Sequence, residues 1–413
     1  MKPISRIGER ERGYVLEVLE TQFRTSLSGS MTARLEQAFA QTFGADYAIS
    51  FANGTATMHA ALAALGVGRG DEVIVPPLTM SATAMAALHA GATPVFADID
   101  PHTWNIDPQS IAARIGPRTK AIIPVALYGL PADMPAIMKI AARHNLGVVE
   151  DDAQCFLGTI DGRVCGTIAH ASSFSFQSSK HMTSGEGGMM TTNDAALAER
   201  IRRFANLGYA AVSPQAGGAK IRREVIQSPS YDRHSSFGFN YRMSDLCAAV
   251  ALGQVERLQE LVDMRLFAAS QFERAIAGCS WLSPQRTPAG YRHSYWCYTV
   301  LLDPSAPISW HEFHARFSAY GGDPPYGAWK LTYLEPAFRG QKLTETQSEP
   351  YIEGLCPTAE SIQPRLIQFK TNYYDPDLAI RQAAALRRTI EFFDARVTSP
   401  HQAHRYKPPC AQD

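Results

Sequence analysis

The sequence predicts an α/β protein, a mostly parallel sheet between helices followed by a smaller C-terminal α+β domain. Two observations carry this. From about residue 45 to 195, short β-rich apolar runs alternate with stretches of helical periodicity, and that alternation builds a parallel sheet covered by helices. After a long helical run the texture changes to "HSYWCYTVLL" and then to further helices. With 413 residues the chain is long enough for two such domains.

The elements follow in order. "DEVIVPP" (71–77), "TPVFADI" (93–99), "KAIIPVAL" (120–127), "LGVVED" (146–151) and "SSFSF" (172–176) predict strands. "SATAMAALHAG" (81–91) and "PADMPAIMKIAARHN" (131–145) place apolar residues at helical spacing. One long helix is predicted over 246–278, a strand over 293–302 and a final helix over 376–395. The expected division is a large domain with an N-terminal arm (1–265), a small domain (266–398) and a mobile tail (399–413), which has no periodicity.

Composition excludes some partners. Lys plus Arg equals Asp plus Glu, 39 each, so no net charge points to nucleic acid or to a membrane surface. No apolar stretch has the length or flanks of a signal core or a bilayer span. The seven cysteines contain no CxxC pair and are expected to be reduced, mostly buried thiols of a cytoplasmic protein. "HEFH" (311–314) spaces two histidines at i and i+3 with nothing nearby to complete a set, so no metal site is expected.

Three features carry chemistry. In "NGTATMHAALAALG" (53–66), a turn precedes an apolar helix with no charge in its first turns, a start suited to phosphate or to an ordinary cap. In "LGVVEDDAQC" (146–155), Glu150, Asp151 and Asp152 fall at the carboxyl end of a buried strand, where open sheets bind ligands. In "SFSFQSSKHMTSGEGGMM" (173–190), Lys180 lies between a strand and a glycine cluster, and a lysine there is a covalent nucleophile or a solvated charge. Taken in this order, the three supply what pyridoxal 5′-phosphate requires: a phosphate cradle, a carboxylate for the ring nitrogen and an amine for the aldehyde.

At these residues the chain resembles the DegT/StrS-type sugar aminotransferases. The resemblance runs from about residue 45 to 265 through "NGTAT", "GDEVIVPPLT", "GATPVFADIDP", "VVEDDAQ", "SFSFQSSKHMTSGEGGMMTTND" and "GFNYRMSDLCAAVALGQVERL". It implies the fold-type I architecture with a seven-stranded-type sheet, and a homodimer with shared active sites. It also implies pyridoxal 5′-phosphate as cofactor, glutamate or glutamine as donor and a keto-sugar as acceptor. By motif position, Lys180 is the lysine that binds the aldehyde and moves protons, and Asp151 pairs with the pyridinium nitrogen. Gln154 contacts the ring, Gly54, Thr55 and Ser175 hold the phosphate, and Asn240 reaches the neighbouring subunit's phosphate.

Two positions depart from the family pattern. Met80 follows Thr79 where relatives commonly stack an aromatic ring on the cofactor. Asp152 replaces the usual small residue after the aspartate, and is expected to be a helix cap facing away from the ring. His181 follows the lysine and does not replace it, which favours transamination over the dehydration some relatives perform. The basic segment 220–227 is a contact for a sugar nucleotide or a solvated face, and the aromatic, Gly/Pro-rich segment 320–336 lines the acceptor pocket or packs the domains. Gln177, three residues before the lysine, leaves a ketocyclitol or related ring ketone open as the acceptor. A binding protein without turnover is the reading from another class, and the intact lysine, aspartate and phosphate set argues against it.

Overall fold

The computed structural model describes residues 1–24, 30–215, 222–306 and 308–397. The predicted tail at 399–413 lies outside the described residues. The strands in chain order are β1 (Tyr47–Phe51), β2 (Glu72–Val75), β3 (Thr93–Phe96), β4 (Thr119–Ile122), β5 (Gly147–Asp151), β6 (Thr159–Ile160), β7 (Arg163–Val164), β8 (Ala171–Ser175) and β9 (Gly188–Thr192). Seven of them form one sheet in the order β1-β9-β8-β5-β4-β2-β3. From β3 through β8 neighbouring strands run parallel, and only β9 runs against the rest. Its inner strands are buried on both faces, with Val73, Ile74, Val75, Ile122, Val148 and Val149 all at 0% exposure, as a sheet covered on both sides demands.

A second sheet is antiparallel, in the order β10 (Leu282–Pro284), β12 (Cys297–Leu302), β14 (Leu366–Lys370), β13 (Tyr326–Gly327). It packs with the helices Leu258–Ile276, Trp310–Ala319 and Pro376–Val397 around Phe272, Phe313, Phe317 and Phe369. The remaining strand, β11 (Tyr291–Arg292), pairs with the β6–β7 hairpin. The α/β fold with a smaller C-terminal α+β region therefore agrees with the sequence expectation. No helix among the described residues is long and apolar enough to cross a membrane.

Three local expectations need correction. The predicted helix over 246–278 is two helices, Asp245–Val255 and Leu258–Ile276. Arg257 leaves the helical region (φ −127°, ψ 22°), and its guanidinium meets the buried carboxylate of Glu11 at 3.0 Å. Sequence does not show the break because the first helix is buried almost all round and the second along one face, so apolar residues continue across it. The strand predicted over 120–127 ends at Ile122, and Leu127–Gly129 forms a 3-10 turn with Tyr128 at φ 61°. Strands β1 and β9 add to the expected set; "GMMTT" follows a glycine cluster with no alternation to read.

Candidate active site

A cavity of about 430 Å³ opens beyond the carboxyl ends of β5 and β8, the position where open parallel sheets bind ligands. Gly54, Thr55, Met80, Asp151, Gln154, Ser175 and Lys180 all line it. Seven of the eight residues singled out in the sequence thus meet at one place. Asn240 does not; it is exposed, in backbone pairing with Asn206. A cavity built from one chain leaves out a residue whose implied role is toward a neighbouring subunit.

The helix Gly54–Ala64 starts directly after β1 and points its positive end at the cavity. Asn53 caps it, its side-chain oxygen accepting from Ala56 N at 2.9 Å. No acidic side chain occupies the first turn, so the amide end is open to an anion. Close approach explains two glycines here. A Cβ on Gly54 would stand 3.0 Å from Ser175 Cβ, and one on Gly188 would meet the Asn53 carbonyl carbon at 2.6 Å. The helix start is therefore seated on β8 and β9 with no room for a side chain.

Asp151 ends β5 and is buried. Thr83 Oγ1 donates to its Oδ2 at 2.8 Å and Ala153 N to its Oδ1 at 3.2 Å. Burial pushes this carboxyl up, while those donors and Lys180 pull it back. Gln154 is anchored through its Oε1, which accepts from Tyr128 N at 2.7 Å, leaving its amide nitrogen toward the cavity it lines. The left-handed Tyr128 is the backbone that makes this bond possible.

Lys180 is 9% exposed, and its Nζ lies 4.7 Å from the centre of the Trp296 ring, within cation–π reach. Burial lowers its pKa to about 8, with Asp151 opposing and Arg265 adding to the shift. Such an amine is partly neutral near physiological pH, as a nucleophile and proton carrier must be. Its loop is held from behind. Arg265 donates to the carbonyls of Lys180 and Ser179, each at 2.9 Å, and Arg6 to that of Lys180 at 3.3 Å.

Neighbouring candidates resolve differently. His181 is buried away from the cavity, against Phe156, and Nε2 is 2.9 Å from the Ser294 carbonyl. Burial keeps its ring neutral. Gln177 lines the cavity but spends its side chain on its own loop: Oε1 accepts from Ser179 N at 2.8 Å, and Nε2 donates to Ser178 Oγ at 2.9 Å. His311 and His314 flank Trp310 on the helix Trp310–Ala319. Residues 220 and 221 of the basic segment lie outside the described residues, and none of the others lines the cavity.

Asp152 corrects an expectation. It caps no helix; it is 0% exposed and faces Glu150. Side chains along a strand alternate in direction, so Asp151 turns to the cavity while Glu150 and Asp152 turn away from it.

Sequence reasoning missed Thr83, Arg265 and Trp296. Trp329, from segment 320–336, lines the cavity together with Trp296. Both also border a second chamber of about 430 Å³ that continues to Tyr326, Lys370 and Asn372. The pocket-lining reading of that segment fits its geometry. Nothing local marks Thr83, Arg265 or Trp296, which meet Asp151 or Lys180 only through the tertiary fold.

A parallel sheet with a helix start, a strand-end aspartate and a buried lysine around one cavity defines the fold-type I class of aminotransferases. Residues 5–371 match the model of the DegT/DnrJ/EryC1/StrS aminotransferase family. The chain belongs to that family and is a pyridoxal-phosphate-dependent aminotransferase. It is 41% identical over 299 residues to a GDP-perosamine synthase of Caulobacter vibrioides, covering 72% of this chain and 76% of that one. It is 34% identical over 367 residues to a UDP-N-acetyl-3-dehydro-alpha-D-glucosamine 3-aminotransferase of Acidithiobacillus ferrooxidans, covering 88% and 89%. Among solved structures, an aminotransferase from Psychrobacter cryohalolentis superposes with TM-score 0.84 at 31% identity over 95% of this chain and 99% of that one.

Proposed function

We propose that this enzyme moves an amino group from glutamate or glutamine to a nucleotide-linked keto-sugar, in the cytoplasm, as a homodimer. The convergence of Lys180, Asp151 and the Gly54–Ala64 helix start on one cavity carries the reading. The names of the two relatives support a sugar nucleotide as acceptor.

The residues present fit pyridoxal 5′-phosphate. Gly54 leaves space where any side chain would press on Ser175, Asp151 is the only carboxylate among the cavity-lining residues that ends a sheet strand, and Lys180 is the lining amine. When bound, the cofactor supplies an aldehyde and an electron-withdrawing ring that stabilises negative charge at the carbon losing its proton.

The chain's own residues do the rest. Gly54, Thr55 and Ser175 would hold the phosphate, and Asn240 would reach it from the partner subunit. Asp151, whose charged form Thr83 and Lys180 favour against burial, would hold a proton on the ring nitrogen. Gln154 orients the ring. Lys180 Nζ is the base that would take the α-proton of the donor and return a proton to the acceptor's carbon. Met80, Trp296 and Trp329 line the cavity, and such apolar groups limit water around the reacting atoms.

The test is transfer of label. Glutamate or glutamine labelled at nitrogen should pass it to GDP- or UDP-linked keto-hexoses, and the donor should bleach a visible absorption band of the purified protein. Lys180→Ala should lose both band and turnover. Label transfer to none of these sugars overturns the acceptor; an unaltered band and rate in Lys180→Ala overturns the site.

A further inference from the structure

Behind the cavity, three groups able to bind a metal converge. An oxygen of Asp152 and the Sγ atoms of Cys155 and Cys165 lie within 4.8 Å of one another, and all three residues are 0% exposed. Both carboxylate oxygens of Asp152 lack a hydrogen-bond donor, as does Oε1 of Glu150 facing it. Buried carboxylates without donor or cation are costly to keep. Glu150 and Asp152 face each other and burial raises both carboxyls, so either a shared proton or a cation meets that cost.

We propose that Asp152, Cys155 and Cys165 form a structural zinc site. Two thiolates with one carboxylate suit zinc. Zinc–sulfur bonds of about 2.3 Å set tetrahedral ligands roughly 3.8 Å apart, so the set closes with small side-chain rotations. The backbone already holds the ligands in place. Cys155 N donates to the Asp152 carbonyl, and Cys165 N to the Gly158 carbonyl, each at 2.9 Å. Gly158 makes room for the thiol, since a Cβ there would stand 2.3 Å from Cys155 Sγ. On binding, Cys155 Sγ gives up its present 3.3 Å contact to the Gly129 carbonyl, and both thiol protons leave to solvent. Glu150 Oε2 accepts from Ser172 Oγ at 3.3 Å; Glu150 stands outside the three-ligand cluster, so its carboxyl must swing in to supply the fourth ligand.

Such a site ties the turn after β5 to the end of the β6–β7 hairpin. That turn follows directly on Asp151 and carries Gln154, so the metal is a positioning element for the ring-binding residues. The reading rests on these ligands and not on the acceptor, and metal content reports it independently of turnover.

The experiment is elemental analysis of the dialysed holoenzyme after expression in zinc-supplemented medium. About one zinc per chain is expected, falling at least tenfold in Cys165→Ser and Asp152→Asn variants shown to be folded by circular dichroism. Cobalt-grown wild type should show the long-wavelength absorption of tetrahedral cobalt–thiolate, a readout that needs no substitution. Wild-type enzyme without zinc or that absorption overturns the site. So does finding Cys155 and Cys165 titratable only after reduction, which identifies a disulfide instead.

Discussion

The guanidinium of Arg265 donates to the main-chain carbonyl of Lys180 at 2.9 Å and to that of Trp296 at 2.7 Å. One buried cation from the helix Leu258–Ile276 therefore ties the lysine loop to the segment bearing the tryptophan that covers the lysine. Arg265 is 1% exposed, so its bonds are made without competition from water. Arg265→Met removes one donor from each of three carbonyls, which keep Trp296 Nε1, Arg6 and Thr371 Oγ1 as their other donors, and should cost about 1–3 kcal/mol of stability, the usual worth of hydrogen bonds from a charged group. Turnover should fall at least tenfold, and Arg265→Lys should recover only part, because an ammonium lacks the planar fork. Urea unfolding and steady-state rates check both.

Thr83 donates to Asp151 Oδ2 at 2.8 Å. Thr83→Val keeps the shape and removes that donor, so the buried carboxylate becomes harder to ionise. Cofactor affinity should fall by about 1.5–3 kcal/mol, the usual worth of a hydrogen bond to a charged group. Absorbance titration of the cofactor-free variant measures it.

Gly54→Ala brings a methyl group to 3.0 Å from Ser175 Cβ. The helix start must then lift from β8, at about 1–3 kcal/mol for overpacking. The expected result is weaker retention of the cofactor on dialysis, with phosphate-bearing ligands losing more affinity than pyridoxal. Equal losses for both would separate Gly54 from the phosphate.

The Lys180 pKa, lowered to about 8 by burial, gives a pH signature in the cofactor-free protein. The unfolded chain holds this proton up to the ordinary lysine range, so between the two pKa values it binds more protons than the folded one. Stability from this group is complete above the unfolded pKa and is lost as pH falls through about 8. Relative to Lys180→Met, wild type should therefore gain about 3 kcal/mol between pH 7.5 and 10.5. Urea midpoints across that range read the difference, and a flat difference would contradict the burial of this amine.

Much of the site was legible because its chemistry is local. Asn53-Gly54 marks a turn before an uncharged helix start, Asp151 ends an apolar run, and Lys180 sits between a strand and glycines that turn the chain. Asp152 was misread because a carboxylate after a strand usually meets solvent; here strand alternation turns it inward beside Glu150. The two cysteines showed no metal spacing, since a ten-residue separation means nothing until the β6–β7 hairpin folds it back.

Periodicity and motif order were enough to specify a parallel α/β core and the residues that approach a cofactor, because each of those signals spans only a few neighbouring positions. The clamp of Arg265, the Trp296–Trp329 wall and the Asp152–Cys155–Cys165 cluster belong to the folded chain alone. Each joins segments far apart in sequence, and such contacts form only when the burial of distant apolar faces brings those segments together.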